Sequence, residues 1–404
     1  MLQKILIFNA GSTSLKAKLF SWPSEKLLWE KNLAGVKNPT TAMQKMLTEI
    51  TAQLSGGQSA DSRRRGASER IRGTSATDRE EGLAAIGHRV VHGGTEFVAP
   101  TKITSAVIKK LARYNILAPL HNPANLAGIK AAQKIWPKVP QVAVFDTAFF
   151  AHLPEVARTY ALPKKLIQKY GWRRYGFHGL SHQAAAEAAA GALKRPVEDL
   201  KIITCHLGGG CSLAAIDRGQ AIDTSMGWTT MEGAPMMTRS GDVDAGIVLD
   251  LAERVGVARA REILNKESGA LGLSGCRDFL DLLKKMSVKD RPSFAIKLAR
   301  LSALSSPQGY PEPRRQSGHR DAPSNPARLA VDLFVYRIKK YIGAYYAILG
   351  GCDALVFTGA IGAGNPETRR AICANMSILG NTRVLSVPAN EELQIARGAA
   401  KLVL

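Results

Sequence analysis

Two short segments of the chain share one design. NAGSTSL (9–15) follows the apolar run KILIF (4–8), and LGGGCSL (207–213) follows KIITCH (201–206). Gly11 aligns with Gly209, Ser14 with Ser212 and Leu15 with Leu213. Read structurally, each is a strand, a tight turn and a return strand. The same unit occurring twice predicts two related domains, each offering a backbone-rich turn to one cleft. A length of 404 residues agrees, since one ordinary core does not serve so long a chain.

The remaining apolar runs complete an α/β pattern. Strands are expected at 4–8, 15–20, 27–33, 84–91, 141–145, 201–207, 211–216, 354–357 and 382–387. Helices are expected at 104–117, 124–135, 181–194, 245–266, 277–287, 327–349 and 390–403. Two stretches break the pattern and read as surface insertions. Residues 55–82 are rich in Ser, Gly and Arg, and residues 302–326 in Pro, Ser and Arg.

The formal charge of +22 points to an anionic partner, either nucleic acid or small anions. The densest basic run, SRRRGASERIR (62–72), lacks interleaved aromatics and reads as a solvated loop, so nucleic acid is not the expected partner. No apolar run reaches the ~18–20 residues that cross a membrane. The opening MLQKILIFNAG has no signal-peptide layout and reads as a buried strand. Five scattered cysteines without a C-x-x-C pair fit a reducing cytoplasm.

Several polar residues sit where strands end. Asn9, Ser12, Ser14 and Lys16 in NAGSTSLK suit phosphate oxygens or a magnesium-bound phosphate, although a plain hairpin uses the same residue types. In GHRVVHGG (87–94), Arg89 lies near the end of an apolar strand. A cation there is costly unless it meets an anion, and its planar fork matches carboxylate or phosphate, whether a ligand or an internal partner. Asp146 ends QVAVF, the position where α/β folds collect functional carboxylates. His121 precedes Asn122-Pro123, His178 lies in a Gly-flanked turn before Ser181, and Arg239 lies in a loop of small residues. No two histidines have metal-ligand spacing on one helix face. TGAIGAGNPETRR (358–370) joins a strand to a helix through glycines. It is neither a G-x-G-x-x-G fingerprint nor a P-loop.

NAGSTSLK, GHRVVHGG, APLHNP, VFDTAF, YGFHGLSH, CHLGGG, TRSGD and PANEELQIA occur in one order from the first strand to the last helix. This sequence resembles the acetate kinase family, which includes propionate kinases. The resemblance implies the acetate and sugar kinase, chaperone ATPase and actin fold. That is two duplicated ribonuclease H-like domains with the active-site cleft between them. Residues 1–150 plus 384–404 would form the acyl and magnesium side, and residues 151–383 the nucleotide side. It also implies a cytoplasmic homodimer that moves the γ-phosphoryl of ATP to acetate, reversibly, with Mg2+ or Mn2+ as cofactor.

By match to the family, Arg89, Asp146, His178 and Arg239 would be catalytic. Arg89, Val91, Leu120, His121 and Phe177 would hold the acyl substrate. A valine at 91 favours acetate over propionate, with Thr230 standing where proline is usual. Asn9 and Glu391 would hold magnesium, with Ser12 and Ser14 on the phosphate side. Lys16, His206, Leu207, Gly208, Gly209, Gly210, Asp278, Phe279, Leu280, Ala360, Ile361, Gly362, Ala363 and Gly364 would hold the nucleotide. A general-base role for Asp146 is not expected, because a carboxylic acid acceptor is already ionised at neutral pH. Asp146 reads instead as orienting Arg89 or a metal-bound water.

The nucleotide half departs from the family pattern. Gly209 replaces Asn, Leu280 replaces Arg, Met237 replaces Gly, and GAIGAG stands where the family has a GGIGEN-type loop. These losses leave open a different phosphoryl donor, such as pyrophosphate. From another class, a non-catalytic nucleic-acid-binding relative is the third reading. Arg369 and Arg370 are expected on the surface of the helix after the loop.

Overall fold

A computed structural model of the chain describes residues 3–10, 14–36, 38–54, 82–119, 121–286 and 325–404. Gly11, Ser12, Leu120 and nearly all of both basic insertions lie outside the described residues. The chain forms two compact units. One comprises Met1–Ala151, Phe177–Ala184 and Asn390–Leu404, and the other His152–Gly176 and Ala185–Ala389.

The first unit is built on strands β1 (Gln3–Ala10), β2 (Ser14–Trp22), β3 (Leu27–Ala34), β4 (Leu83–Val90), β5 (Thr101–Lys102) and β6 (Gln141–Phe145), in the order β3-β2-β1-β4-β6-β5. Its helices include α1 (Pro39–Leu54), α2 (Ser105–Ala112), α3 (Asn122–Ile135) and the start of α4 (Gly179–Leu193). The run KILIF shows no alternation because both of its faces are buried. Leu6 and Phe8 pack with Met43, Met46 and Ile50 of α1, while Ile5 and Ile7 pack with Leu180 of α4 and Ile395 and Ala399 of the C-terminal helix Glu391–Val403. Gly87 makes room for that helix, since a Cβ there would lie 2.7 Å from Ile395 Cγ2.

The second unit is built on β7 (Lys201–Leu207), β8 (Cys211–Asp217), β9 (Gln220–Thr224), β10 (Ala354–Thr358) and β11 (Arg383–Ser386), in the order β11-β10-β7-β8-β9. Its helices include α5 (Phe279–Lys285), α6 (Pro326–Leu349), α7 (Gly359–Gly364) and α8 (Pro366–Cys373). Helix α6 turns Phe334, Ile338, Ile342 and Tyr345 inward and packs on β7 and β8.

The two sheets repeat one topology. In each, three successive strands form an antiparallel meander, β1-β2-β3 and β7-β8-β9. Two more strands then add in parallel beside the first, β4 and β6 in one sheet and β10 and β11 in the other. NAGSTSL and LGGGCSL fall at the first hairpin of each sheet, so the short sequence echo marks a whole-domain duplication. Residues 384–389, expected with the first unit, sit with the second because β11 pairs with β10.

Not every expected element has its expected form. The helix expected over 245–266 stops at Val255 and restarts at Val257, because Gly256 takes a left-handed φ of 82°. Helix α1 and strand β9 were not expected. No helix among the described residues is long and apolar enough to cross a membrane.

Two histidines of the first unit lie in the interior. His88 stacks on Phe8 and donates from Nε2 to Gln141 Oε1 at 2.9 Å, and His92 is 0% exposed with Nδ1 accepting from the Gly94 N–H. Burial pushes each imidazole from its ordinary 6.5 down to about 4. Both stay neutral in the fold, while the unfolded chain takes up protons below pH 6.5. Stability is therefore full above that value and falls toward pH 4, by up to about 1.4 kcal/mol per pH unit for each histidine. Urea titrations from pH 7 to 4.5 are expected to show this loss, with a shallower slope in His88→Gln. An unchanged slope in that variant contradicts the assignment.

Candidate active site

Strands β1, β4 and β6 run parallel, so their carboxyl ends place Asn9, Arg89 and Asp146 side by side. Arg89 is gripped by Asp146. Its Nε donates to Oδ1 at 3.1 Å and its Nη2 to Oδ2 at 2.5 Å. Nη1 donates to Asn9 Oδ1 at 3.3 Å and lies 3.7 Å from Glu391 Oε2. Asp146 is only 1% exposed. Burial pushes its carboxyl up from the ordinary range, and the Arg89 guanidinium pulls it back. The neighbouring carboxylates outweigh burial at Arg89 and hold its pKa above the ordinary value. The pair holds the Arg89 guanidinium in one plane.

The first turn of the C-terminal helix supplies two acids rather than one. Asn9 Nδ2 donates to Glu391 Oε2 at 3.2 Å and to Glu392 Oε1 at 3.0 Å. Glu392 also faces Lys18 Nζ at 3.5 Å. Sequence reasoning singled out Glu391 and missed its more deeply buried neighbour. Asp146, Glu391 and Glu392 set three carboxylates against the cations Arg89 and Lys18. The described residues hold no group of three or more acidic, histidine or cysteine side chains placed to enclose a metal ion, so a magnesium-type cation would rest on one or two protein oxygens and keep its waters. Glu391 is the accessible donor. Asn9 turns its nitrogen toward Glu391, so its oxygen joins a cation there only after the amide turns over.

The turn around this cluster is held from behind by two asparagines that sequence reasoning did not assign. Asn122 pairs with the backbone of His92 through both amide atoms, at 3.0 Å each. Asn125 accepts from the Val91 N–H at 3.1 Å and donates to the Ala10 carbonyl at 2.5 Å. They lie one turn apart on α3 and tie the ends of β1 and β4 together. Val91 and Phe177 are 3% and 1% exposed, with Phe177 edge-on to His92 at 5.5 Å. His121 is half-buried at the start of α3. His178 takes a left-handed φ of 58°, and its backbone N–H bonds the Asp146 carboxylate. Gly179 permits this approach, because a Cβ there would lie 1.9 Å from the Asp146 carbonyl oxygen. Ser14 and Lys16 open β2, where Lys16 pairs across from Asn9 with its side chain exposed.

In the second unit the turn after β7 and the turn after β10 meet. Gly359 has φ 81° and packs on the Leu207 carbonyl, and a Cβ on Gly208 would lie 3.9 Å from His206 Nε2 and 4.0 Å from Ala360 N. Gly209 and Gly364 face open space. Leu207 and Ile361 are buried, so only their backbones are available to a ligand. Gly362 packs over Leu207, while Ala360 is exposed and Ala363 half-buried. The Gly208 N–H is spent on the Gly210 carbonyl at 3.0 Å.

The expected surface position of Arg369 is corrected. It is half-buried, and Nη1 donates to the carbonyls of Gly362 at 2.8 Å and Ala363 at 2.7 Å. These are carbonyls at the end of α7 that the helix itself leaves unpaired. Arg370 is exposed. At 278–280 two of the three residues have structural work. Asp278 caps α5 by accepting from the N–H groups of Leu280 and Asp281, and Phe279 packs on Phe334 at 5.4 Å. Leu280 is 59% exposed.

Arg239 is the counterpart of Arg89 in one respect and its opposite in another. Both are half-buried. Yet among the described residues Arg239 makes no ion pair, and its Nη1 reaches only Met236 Sδ at 3.5 Å. Burial lowers its pKa. A half-buried guanidinium that meets no carboxylate among the described residues suits an anionic ligand.

Known proteins share this design. The sequence profile of the Acetokinase family matches residues 4–304 and 313–397. An acetate kinase of Alkaliphilus metalliredigens is 39% identical, with 99% of this chain and 100% of that protein covered. One from Halothermothrix orenii is 38% identical, with 99% of each covered. Among solved structures, the acetate kinase of Porphyromonas gingivalis has a TM-score of 0.77 at 33% identity, with 100% of both chains covered. A propionate kinase from Francisella tularensis has a TM-score of 0.75 at 30% identity, with 99% of both covered.

Proposed function

The chain belongs to the acetokinase family, with the duplicated fold of the acetate and sugar kinase, chaperone ATPase and actin superfamily, and from that premise we propose that it is an acetate kinase. It moves the γ-phosphoryl group of ATP to the carboxylate of acetate, giving acetyl phosphate and ADP, reversibly. The observation that carries this reading is Arg89. Its fork is fixed by Asp146 at the strand ends and neighboured by Asn9 and Glu391.

Such a transfer asks little covalent chemistry of the protein, and the work is positioning and charge neutralisation. Arg89 holds the acyl carboxylate, with Asp146 fixing the guanidinium plane. His121 supports the same oxygens, and Val91 and Phe177 close the methyl side. Arg239 braces the transferring phosphoryl group, whose charge is spread over three oxygens, and His178 donates to it. The turn at 208–210 and the loop at 359–364 hold the nucleotide through their backbones. Mg2+ when bound neutralises phosphate charge, and Glu391 with Asn9 would hold it.

One observation favours a second reading, a donor other than ATP. Asp278 is occupied as a helix cap and Leu280 offers an apolar face, so the adenosine side has few polar groups to spare. Trapping the product with hydroxylamine separates the two. With acetate and magnesium, ATP is expected to give acetyl hydroxamate well above pyrophosphate. A rate seen with pyrophosphate and none with ATP overturns the first reading in favour of the second.

A further inference from the structure

The loop that carries Arg239 is held at two places, and one of them is a bond to a residue 99 positions further along the chain. At its tip, the Ser268, Ala270 and Leu271 N–H groups donate to the carbonyls of Thr238, Met236 and Met237. Gly269 is pressed so close that a Cβ would lie 2.6 Å from the Arg239 carbonyl oxygen. At its neck, Asp242 closes the loop on Gly233. The Asp242 N–H donates to the Gly233 carbonyl, and the Gly233 N–H donates to Asp242 Oδ1, both at 2.8 Å. Gly241, with φ 68°, lets the two strands of the neck touch, since a Cβ there would lie 2.5 Å from the Gly233 carbonyl oxygen.

The other oxygen of Asp242 faces away from the neck. Tyr341 of α6 donates its hydroxyl to Asp242 Oδ2 at 2.6 Å. The tyrosine is half-buried beside Tyr345, ring centroids 5.8 Å apart, on a helix whose inner face is in the core. An O–H donated to a carboxylate is short and roughly twice as strong as a neutral hydrogen bond. Burial and the Asp242 carboxylate both raise the Tyr341 pKa, so the hydroxyl keeps its proton.

We propose that Tyr341, acting through Asp242, is a positioning residue for the phosphoryl-bracing guanidinium of Arg239. The loop has no secondary structure of its own at this point, and among the described residues no carboxylate holds the Arg239 side chain in place. Its direction is therefore set by the backbone that bears it. The tip bonds fix the loop to residues 264–271, and the Tyr341 bond fixes its neck to the core helix. This inference rests on the reading of Arg239 as the group that braces the transferring phosphoryl.

Tyr341→Phe removes only the hydroxyl and keeps the ring. Assayed well below its melting temperature, it is expected to lower kcat by roughly 10- to 100-fold, the scale of a small misplacement at a reacting centre. KM for acetate is expected to stay within about twofold, since Arg89 and its neighbours are untouched. The decisive readout is the double variant. In an Arg239→Ala enzyme, measured at high enzyme concentration, adding Tyr341→Phe is expected to cost nothing further. Asp242→Asn, which can still bond both Gly233 and Tyr341, is expected to retain more activity than Asp242→Ala. A fully active Tyr341→Phe overturns the inference alone, as does an equal loss in both backgrounds. Equal activity in the two Asp242 variants also overturns it. An Arg239→Ala enzyme of full kcat overturns the reading of Arg239 and the inference together.

Discussion

Arg89→Ala is expected to cut acetyl phosphate formation sharply and to destabilise the first unit at the same time. The two effects have one origin. Arg89 is the cation at the strand ends, and removing one such preorganised charge costs roughly 100- to 1,000-fold in kcat. Its removal also strands Asp146, which is 1% exposed and accepts from both Nε and Nη2 of the guanidinium. Breaking one partner from a buried pair costs about 3–5 kcal/mol. Arg89→Lys keeps the charge but not the fork, so it is expected to recover stability before it recovers activity. Melting curves alongside kcat separate the terms. An Arg89→Ala enzyme that keeps both its activity and its melting temperature contradicts the assignment.

Arg239→Ala is expected to give the opposite pairing, a large loss of activity with no loss of stability. Arg239 is half-buried, yet its only polar side-chain contact among the described residues is the Met236 sulfur. Removing a cation that burial already penalises leaves no carboxylate unpaired. The kcat loss is expected at about 100- to 1,000-fold, as for one donor to a developing charge. The urea midpoint is expected to stay level or to rise. A loss of stability like that of Arg89→Ala refutes the picture of Arg239 as a guanidinium kept free for an anion.

The contrast between these arginines could not be read from the chain. Arg89 stands near the end of an apolar strand and looked like a cation in need of an anion, while Arg239 stands in a loop of small residues. Which of them has an internal partner depends on Asp146 meeting Arg89 across two paired strands. Long-range pairing also hid the asparagines. Asn125 reaches a carbonyl 115 positions away, and nothing local marks it. Glu392 was legible as a charge, but its burial depends on Lys18 and Asn9 at the other end of the chain. Arg369 looked like a surface residue because helix α8 has a polar face; the carbonyls it caps belong to the preceding helix.

What the sequence did disclose was set by short-range rules. Apolar runs without alternation marked strands covered on both faces, and glycine turns after two of them marked the repeated hairpin. Helix α1 carried Met43, Met46, Ile50 and Leu54 at helical spacing, a signal diluted by threonines and glutamines. Strand β9 is five residues with polar positions, and it exists because β8 offers it a partner. The break at Gly256 was visible as a glycine, though a single glycine is tolerated in many helices.

The central claim is a transfer of phosphoryl from nucleotide to carboxylate, and phosphorus NMR follows it atom by atom. ATP, magnesium, acetate and the enzyme are mixed in one tube and the spectra recorded over time. The result expected is an acetyl phosphate resonance that grows in step with ADP, and that shrinks into ATP when acetyl phosphate and ADP are supplied instead. ATP that persists unchanged, or that yields only inorganic phosphate at a rate indifferent to acetate, would contradict the account.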